Sequence, residues 1–336
     1  IFASYVMGTF RTGPFEFIAG VRWEYTDTSA ERVQFDFDED GLQQEDVSQA
    51  VDERDYHVLL PSAILKWELR DNLLLRFAVS ETFARPQLLD LINTRRINEF
   101  DDPVEIDSGN FNLPPLKADN IDVVLEYYTD DGLWSVGLFR KDMDGFSFPA
   151  QEILFNVPEF EGRDVAINTP LSTGEARNQG IELSVFQQLS MLPAPFDGIF
   201  VNANYTYTDS EATYPGREDE NLPTQGASRH LAFASLGYEW RGLSAEVQYR
   251  YRSAFIEGLA FVDAQGLNSF VEDDIFGDTS IVNANLSYDV LDNVTVYLNG
   301  TNLLNEQNSS AQGYRRYPED IYYNERRIAF GIKGQF

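Results

Sequence analysis

The chain has 336 residues, no cysteine, 14% aromatic residues and a formal net charge of −30. The lack of cysteine excludes a disulfide scaffold and thiolate metal sites and leaves the redox compartment unspecified; the charge argues against a nucleic-acid partner, since nothing here would neutralise phosphates. Mean hydropathy is −0.33 and no run of about 18 apolar residues exists to make a spanning helix, yet 17 Tyr and 25 Phe exceed what a soluble protein needs.

Side chains in a strand alternate faces with a period of two, and on that basis thirteen strands are predicted. Phe2–Phe10 comes first. Phe15–Thr26 follows, with Phe15, Phe17, Ala19, Val21, Trp23 and Tyr25 on one face and Glu16, Arg22 and Glu24 on the other. His57–Leu69 is less regular; Leu73–Thr82 sets Leu75, Phe77 and Val79 against Arg76 and Ser80. Next come Ile121–Tyr128, Leu133–Lys141, Gly180–Gln188, Ile199–Thr208, His230–Trp240 and Leu243–Arg252. In the last of these, Leu243, Ala245, Val247, Tyr249 and Tyr251 oppose Ser244, Glu246, Gln248, Arg250 and Arg252. Ile281–Val290, Val294–Asn302 and Arg327–Phe336 complete the set.

A soluble sandwich would bury each apolar face against a second sheet; a membrane barrel turns it to lipid and the polar face to a wet bore. The connections favour the barrel. Short turns at Thr12-Gly13-Pro14, Asp71-Asn72, Asp130-Asp131-Gly132, Arg241-Gly242 and Asp292-Asn293 use residues that supply a positive or fixed φ, and Met191–Gly198 is a longer turn. They alternate with long polar stretches, Asp27–Tyr56, Phe83–Asn120, Gly145–Gln179, Asp209–Arg229, Ser253–Ser280 and Leu303–Arg326, expected to be extracellular loops. Thirteen is odd, whereas bacterial single-chain barrels have even counts, and open sheet edges cannot face hydrocarbon. The expectation is an all-β transmembrane antiparallel up-and-down β-barrel, of which residues 1–336 are the carboxy-terminal part.

Several ordered segments carry a family resemblance: Phe83-Ala-Arg-Pro-Gln-Leu-Leu-Asp-Leu91, then Gly109-Asn-Phe-Asn-Leu-Pro-Pro-Leu-Lys-Ala-Asp-Asn120 with Ile121–Tyr128, then Gly137-Leu-Phe-Arg-Lys-Asp-Met-Asp-Gly-Phe146. Asn178-Gln-Gly-Ile-Glu-Leu183, Ala203-Asn-Tyr-Thr-Tyr-Thr208, Tyr249-Arg-Tyr-Arg-Ser253 and Asn299-Gly-Thr-Asn-Leu-Leu-Asn-Glu306 continue it. In order and spacing the set resembles the carboxy-terminal barrel of TonB-dependent outer-membrane receptors. With Pro193-Ala-Pro195 and Tyr207-Thr-Asp-Ser-Glu-Ala212 it is most similar to the Caulobacter/Xanthomonas-type branch, which includes receptors linked to oligosaccharide uptake. The resemblance implies a complete 22-stranded barrel in the outer membrane of a Gram-negative bacterium, an amino-terminal plug inside it and a TonB box ahead of the plug. It implies as partners the TonB complex, the barrel-assembly machinery, lipopolysaccharide and outer-membrane lipid, a small nutrient ligand and a surface lipoprotein. Phe336 fits as the terminal aromatic of the assembly signal, with Gly331 at the expected offset; Gly334, Phe330 and Glu325-Arg326 depart from the family's pattern.

Three loop segments hold candidate ligands. Asp36, Asp38 and Asp40, followed by Gly41, are spaced as in hard-cation loops and suggest a structural calcium ion, but the twelfth position is Val47 where a bidentate Glu is needed; the plainer reading is a solvated acidic loop. Arg95 and Arg96 precede Asp101, Asp102, Glu105 and Asp107, either a polar ligand cradle or loop-to-loop ion pairs. Tyr314, Arg315, Arg316, Tyr317, Tyr322 and Tyr323 offer aromatic faces and guanidiniums on which sugar rings stack and hydrogen-bond, or else belong to an aromatic girdle. Trp134, Tyr127 and Trp240 lie near the short turns, where a girdle is expected. His57 and His230 are the two histidines and have no metal-ligand spacing, so no nucleophile with an orienting acid can be assigned and an enzyme is not expected. The expected function is energised import of a scarce nutrient, an oligosaccharide first, with an iron-chelate receptor or a passive porin as alternatives.

Overall fold

A computed structural model describes residues 1–37, 43–92, 96–100, 103–172, 174–214, 217, 219–259, 272–313 and 318–334. The first strands are β1 (Phe2–Thr12), β2 (Phe15–Phe37), β3 (Gln43–Arg70) and β4 (Leu73–Ala84), followed by the short helix α1 (Leu88–Leu91). Then come β5 (Arg96–Asn98), β6 (Val104–Asp107), β7 (Leu116–Thr129), β8 (Gly132–Asp144), β9 (Ser147–Val157), β10 (Arg163–Ser172), β11 (Glu175–Gln188) and β12 (Ile199–Ala212). The rest are β13 (His230–Trp240), β14 (Leu243–Arg252), β15 (Phe255–Gly258), β16 (Asp274–Phe276), β17 (Thr279–Leu291), β18 (Val294–Thr301), β19 (Asn308–Gln312), β20 (Pro318–Tyr322) and β21 (Arg327–Gly334).

Thirteen of them form one sheet in the order β1-β2-β3-β4-β7-β8-β11-β12-β13-β14-β17-β18-β21, every neighbour antiparallel. These are the thirteen strands expected from the alternation. The tight turns behave as their residues require: Arg241 and Gly242 take φ of 45° and 80°, the pair of positive values a two-residue hairpin demands.

Register separates the two faces of this wall. Phe10, Phe17, Leu65, Phe77, Val123, Leu138, Ile181 and Tyr207 are successive cross-strand partners, a continuous row on one face. Leu138, Val247 and Leu236 on that face are 52%, 53% and 58% exposed. A sandwich would have buried them against a second sheet; here they form the lipid-facing surface of a membrane barrel. Trp134, Tyr127 and Trp240 are exposed near the short turns, as a girdle requires. His230 sits on the same face, its Nδ1 2.9 Å from the Tyr205 hydroxyl.

The fully buried side chains lie at the long-loop end. There, the bore-facing row Ala118, Met143, Ala176 and Ala212 is covered by Phe148 and Tyr214 from the loops, whose rings meet edge to face at 5.1 Å. A second cluster joins Val104, Ile106, Phe160 and Val165.

Here the structure corrects the loop expectation. The polar stretch Asp27–Tyr56 is not an irregular loop: β2 and β3 stay paired from Phe15↔Trp67 to Phe37↔Gln43, a two-stranded extension beyond the wall. The other long stretches hold eight short strands in two small sheets, β5-β6-β10-β9 and β15-β16-β19-β20. The segment around Glu105 and Asp107 is not an acidic loop: β6 buries Val104 and Ile106 and turns the acids outward. Those apolar residues find partners such as Val165, about sixty positions away, through the β6–β10 pairing, a spacing that local periodicity does not reveal.

Candidate functional site

Below the apolar cap, the bore face of the wall is polar. Ser62, Ser80, Asn120, Lys141, Asn178 and Ser210 are cross-strand partners in one row, and Ala78, Asp122, Phe139, Gly180 and Thr208 form the next row down. A cavity of about 750 Å³ opens on these rows and on Glu182, Thr206, Leu231 and Arg252. That volume is in the range of small-molecule sites, about 300–1,000 Å³.

A strap from the β12–β13 connection closes one side, with Gly226, Ala227 and Ser228 lining the cavity. Its hydrogen bonds tie it to the wall at both ends. Thr224 donates its hydroxyl to Asn178 Oδ1 at 2.9 Å and its amide to Ser210 Oγ at 2.9 Å. Arg252 donates Nε to Ser228 Oγ at 2.7 Å and Nη2 to the Gly226 carbonyl at 2.9 Å. Tyr214 anchors the strap above, donating to the Pro223 carbonyl and accepting from the Gln225 amide, and burial raises its phenol pKa. Further out, Arg217 makes a two-point ion pair with Asp273 and a second with Glu220, whose carboxyl it holds below the usual glutamate value.

Phe139 defines the cavity's chemistry. A Cβ at Gly180 would come within 2.8 Å of the Phe139 ring, so the ring lies across a position that glycine leaves open. Its half-buried ring sits among hydrogen-bonding groups. Asn120 spends Nδ2 on Thr82 Oγ1 and the Ser80 and Ala118 carbonyls. Lys141, Asp122 and Glu182 line the same cavity and carry no ion pair among the described residues.

At the same height the outward face is ionic. Arg140 binds Asp142 through Nε at 2.7 Å and Nη2 at 3.0 Å, and Arg177 Nε reaches the same carboxylate at 2.9 Å. Nearer the first strands, Glu24 is buried on the bore side between Arg22 and Arg85, 2.5 Å from each, and Arg85 also donates to Thr26 at 3.0 Å. Arg85 belongs to the Arg-Pro motif, and this contact folds the chain after β4 inward.

Of the residues nominated from sequence, Arg95, Asp101, Asp102, Tyr314, Arg315, Arg316, Tyr317, Asp38, Asp40 and Phe336 lie outside the described residues, as do the side chains of Asp36 and Arg96. Tyr322 lies on β20, its ring 6.4 Å from Phe276, and Tyr323 is 69% exposed. Gly331 faces the bore beneath Tyr297, whose hydroxyl would stand 2.3 Å from an added Cβ. Phe139, Lys141 and Arg252 were legible only as positions within predicted strands, and Asn120 and Asn178 fell in stretches expected to be loops, whereas the structure places them on β7 and β11. Their shared height, and the strap above them, required the register.

The family model for the TonB dependent receptor-like beta-barrel matches residues 1–303. Among solved structures, the FrpB iron transporter from Neisseria meningitidis (F3-3 variant) is 14% identical with a TM-score of 0.63, over 99% of this chain and 44% of that one. The ferric yersiniabactin uptake receptor FyuA from Yersinia pestis gives 16% and 0.65, over 99% and 45%. The ferric-catecholate import receptor Fiu from K12 E. coli gives 16% and 0.67, over 99% and 44%. At these identities the likeness is one of fold, and the chain spans less than half the length of each. The chain therefore belongs to the TonB-dependent receptor-like β-barrel family of the Gram-negative outer membrane.

Proposed function

We propose that this chain is the barrel wall of a receptor that binds a scarce nutrient, an oligosaccharide, and imports it with energy transduced by the TonB complex. The observation that carries this reading is the Phe139 ring laid on Gly180, ringed by Asn120, Lys141, Asn178 and Thr208. A pyranose offers an apolar C–H face to an aromatic ring and hydroxyls to amides, hydroxyls and charged groups around it. Sites that orient small molecules combine an apolar surface with a few convergent polar groups in the same way. In the same proposal the outward Arg140–Asp142–Arg177 cluster meets headgroups of lipopolysaccharide, and the barrel-assembly machinery inserts the barrel.

An iron-chelate cargo is the second reading, favoured by the iron-linked descriptions of FrpB, FyuA and Fiu. The net charge of −30 repels anionic chelates at distances within the ~8 Å Debye length, which tilts the choice towards neutral or cationic ligands. The test is growth of a strain lacking the full-length receptor, compared with its parent, on oligosaccharides supplied as scarce carbon source and separately under iron limitation. Loss of growth on one saccharide, restored by the gene and abolished by a proton uncoupler, supports the proposal. A defect confined to iron limitation transfers it to the chelate reading. Uptake indifferent to the uncoupler favours a passive porin.

A further inference from the structure

Beyond the cavity, three aromatic rings line up across the β15-β16-β19-β20 sheet. Phe255 and Phe276 are direct cross-strand partners with ring centroids 5.2 Å apart and planes 25° from parallel. Tyr322 continues the line, 6.4 Å from Phe276 and again at 25°. At the other end the Arg252 guanidinium lies 3.7 Å from the Phe255 centroid. Carbon atoms in contact stand about 3.5–4.0 Å apart. Near-parallel rings with these longer centroid separations are therefore slipped past one another, each step leaving part of a face uncovered. The opposite face of the sheet already supplies its packing: Ile256 and Ala311 are 6% and 7% exposed there, and Ile275 is paired with both. On the aromatic face the row opens towards its outer end, where Phe255 and Phe276 are half-buried and Tyr322 is 47% exposed.

Arg252 joins this line to the cavity, because the same side chain lines the cavity wall. Its Nε and Nη2 are engaged by the strap, while Nη1 has no hydrogen bond among the described residues, which leaves a donor at the junction. We propose that the Phe255–Phe276–Tyr322 staircase is a second saccharide-binding station, which receives pyranose rings from outside and passes them past Arg252 to the Phe139 cavity. The inference rests on the oligosaccharide reading and deepens it. A row of equivalent, individually weak ring contacts lets a chain advance one residue at a time, since transit requires sites favourable enough to enter and weak enough to leave. It also predicts a length dependence, because a disaccharide fits inside the cavity whereas a hexasaccharide reaches the staircase.

The experiment uses the full-length receptor purified in detergent. Titration calorimetry with maltohexaose, xylohexaose, cellohexaose and mannohexaose identifies the sugar that binds, and the corresponding disaccharide is then titrated. The expected result is at least a tenfold loss of hexasaccharide affinity in Tyr322→Ala and Phe276→Ala, with disaccharide affinity within twofold of wild type. Tyr322→Phe, which keeps the ring, retains hexasaccharide affinity, and this rescue separates loss of a face from loss of fold. Wild-type hexasaccharide affinity in both alanine variants overturns the staircase and leaves the cavity reading standing. Equal losses for disaccharide and hexasaccharide overturn it as a separate station. Binding of none of the four sugars by wild type overturns both this inference and the oligosaccharide reading.

Discussion

Arg85→Leu isolates the contact that folds the Arg-Pro segment into the bore. Glu24 retains 10% of its side-chain exposure and Arg85 33%, and Arg85 contributes one of the two cations on that carboxylate. Removing one partner of a fully buried ion pair costs about 3–5 kcal/mol. Arg85 keeps a third of its surface and Arg22 stays on Glu24, so the expected cost is nearer to about 2 kcal/mol. That corresponds to roughly a thirtyfold rise in the opening equilibrium of whatever the contact holds. The segment it holds is α1 and the loop it grips, where the Asn110 amide donates to the Asp90 carbonyl and the Ile92 amide to the Leu88 carbonyl. Hydrogen–deuterium exchange of the full-length receptor reads those amides directly. Exchange of Ile92 and Asn110 should quicken about thirtyfold in Arg85→Leu, while the wall amides of β11 and β12 stay unchanged. Exchange within twofold of wild type at Ile92 and Asn110 would refute the assignment of Arg85 as their anchor.

Three further outcomes are expected. Val136→Arg, on the lipid face, should destabilise the barrel by about 2–4 kcal/mol in vesicle folding titrations, whereas Ser135→Arg, facing the bore one residue earlier, should cost less than about 1 kcal/mol; equal costs would mean the faces are reversed. Phe139→Ala should lower affinity for the bound saccharide about tenfold without changing the melting temperature, and unchanged affinity would remove the ring from the site. Burial, and then the neighbouring Asp273, raise the Asp274 carboxyl above its ordinary 3.8. An acid whose folded pKa is raised destabilises the folded state once ionised; the penalty is full above the raised value and gone below 3.8, where both states are protonated. Asp274→Asn should therefore slow exchange in β16 relative to wild type at pH 7, and the difference should vanish below about pH 4; a pH-independent difference would contradict this origin.

The sequence was most legible where one physical constraint repeats. Each wall strand must show lipid one face and water the other, so Phe77 against Arg76, or Val247 against Glu246, declares strand and face within a few residues, and the alternation of short turns with long stretches declares the membrane class. Family motifs such as Phe83–Leu91 and Gly137–Phe146 added the transport context. Beyond the wall the constraint lapses: loop sheets can pair any two segments, and β6 finds β10 as well as its chain neighbour β5. The stretch Asp27–Tyr56 resembles a polar loop because its hairpin has no lipid to demand apolar residues.

What the amino-acid sequence determined by itself was thus the thirteen-strand wall and its two faces, which follow from a local period of two, and the family, which the ordered motifs carried. Only the tertiary structure decided which inward residues share a height. Cross-strand register places Asn120, Lys141 and Asn178 in one row although they come from three strands. The hydrogen bonds of Thr224 and Arg252 then bring a distant strap over that row, and proximity of this kind has no period along the chain from which to be read.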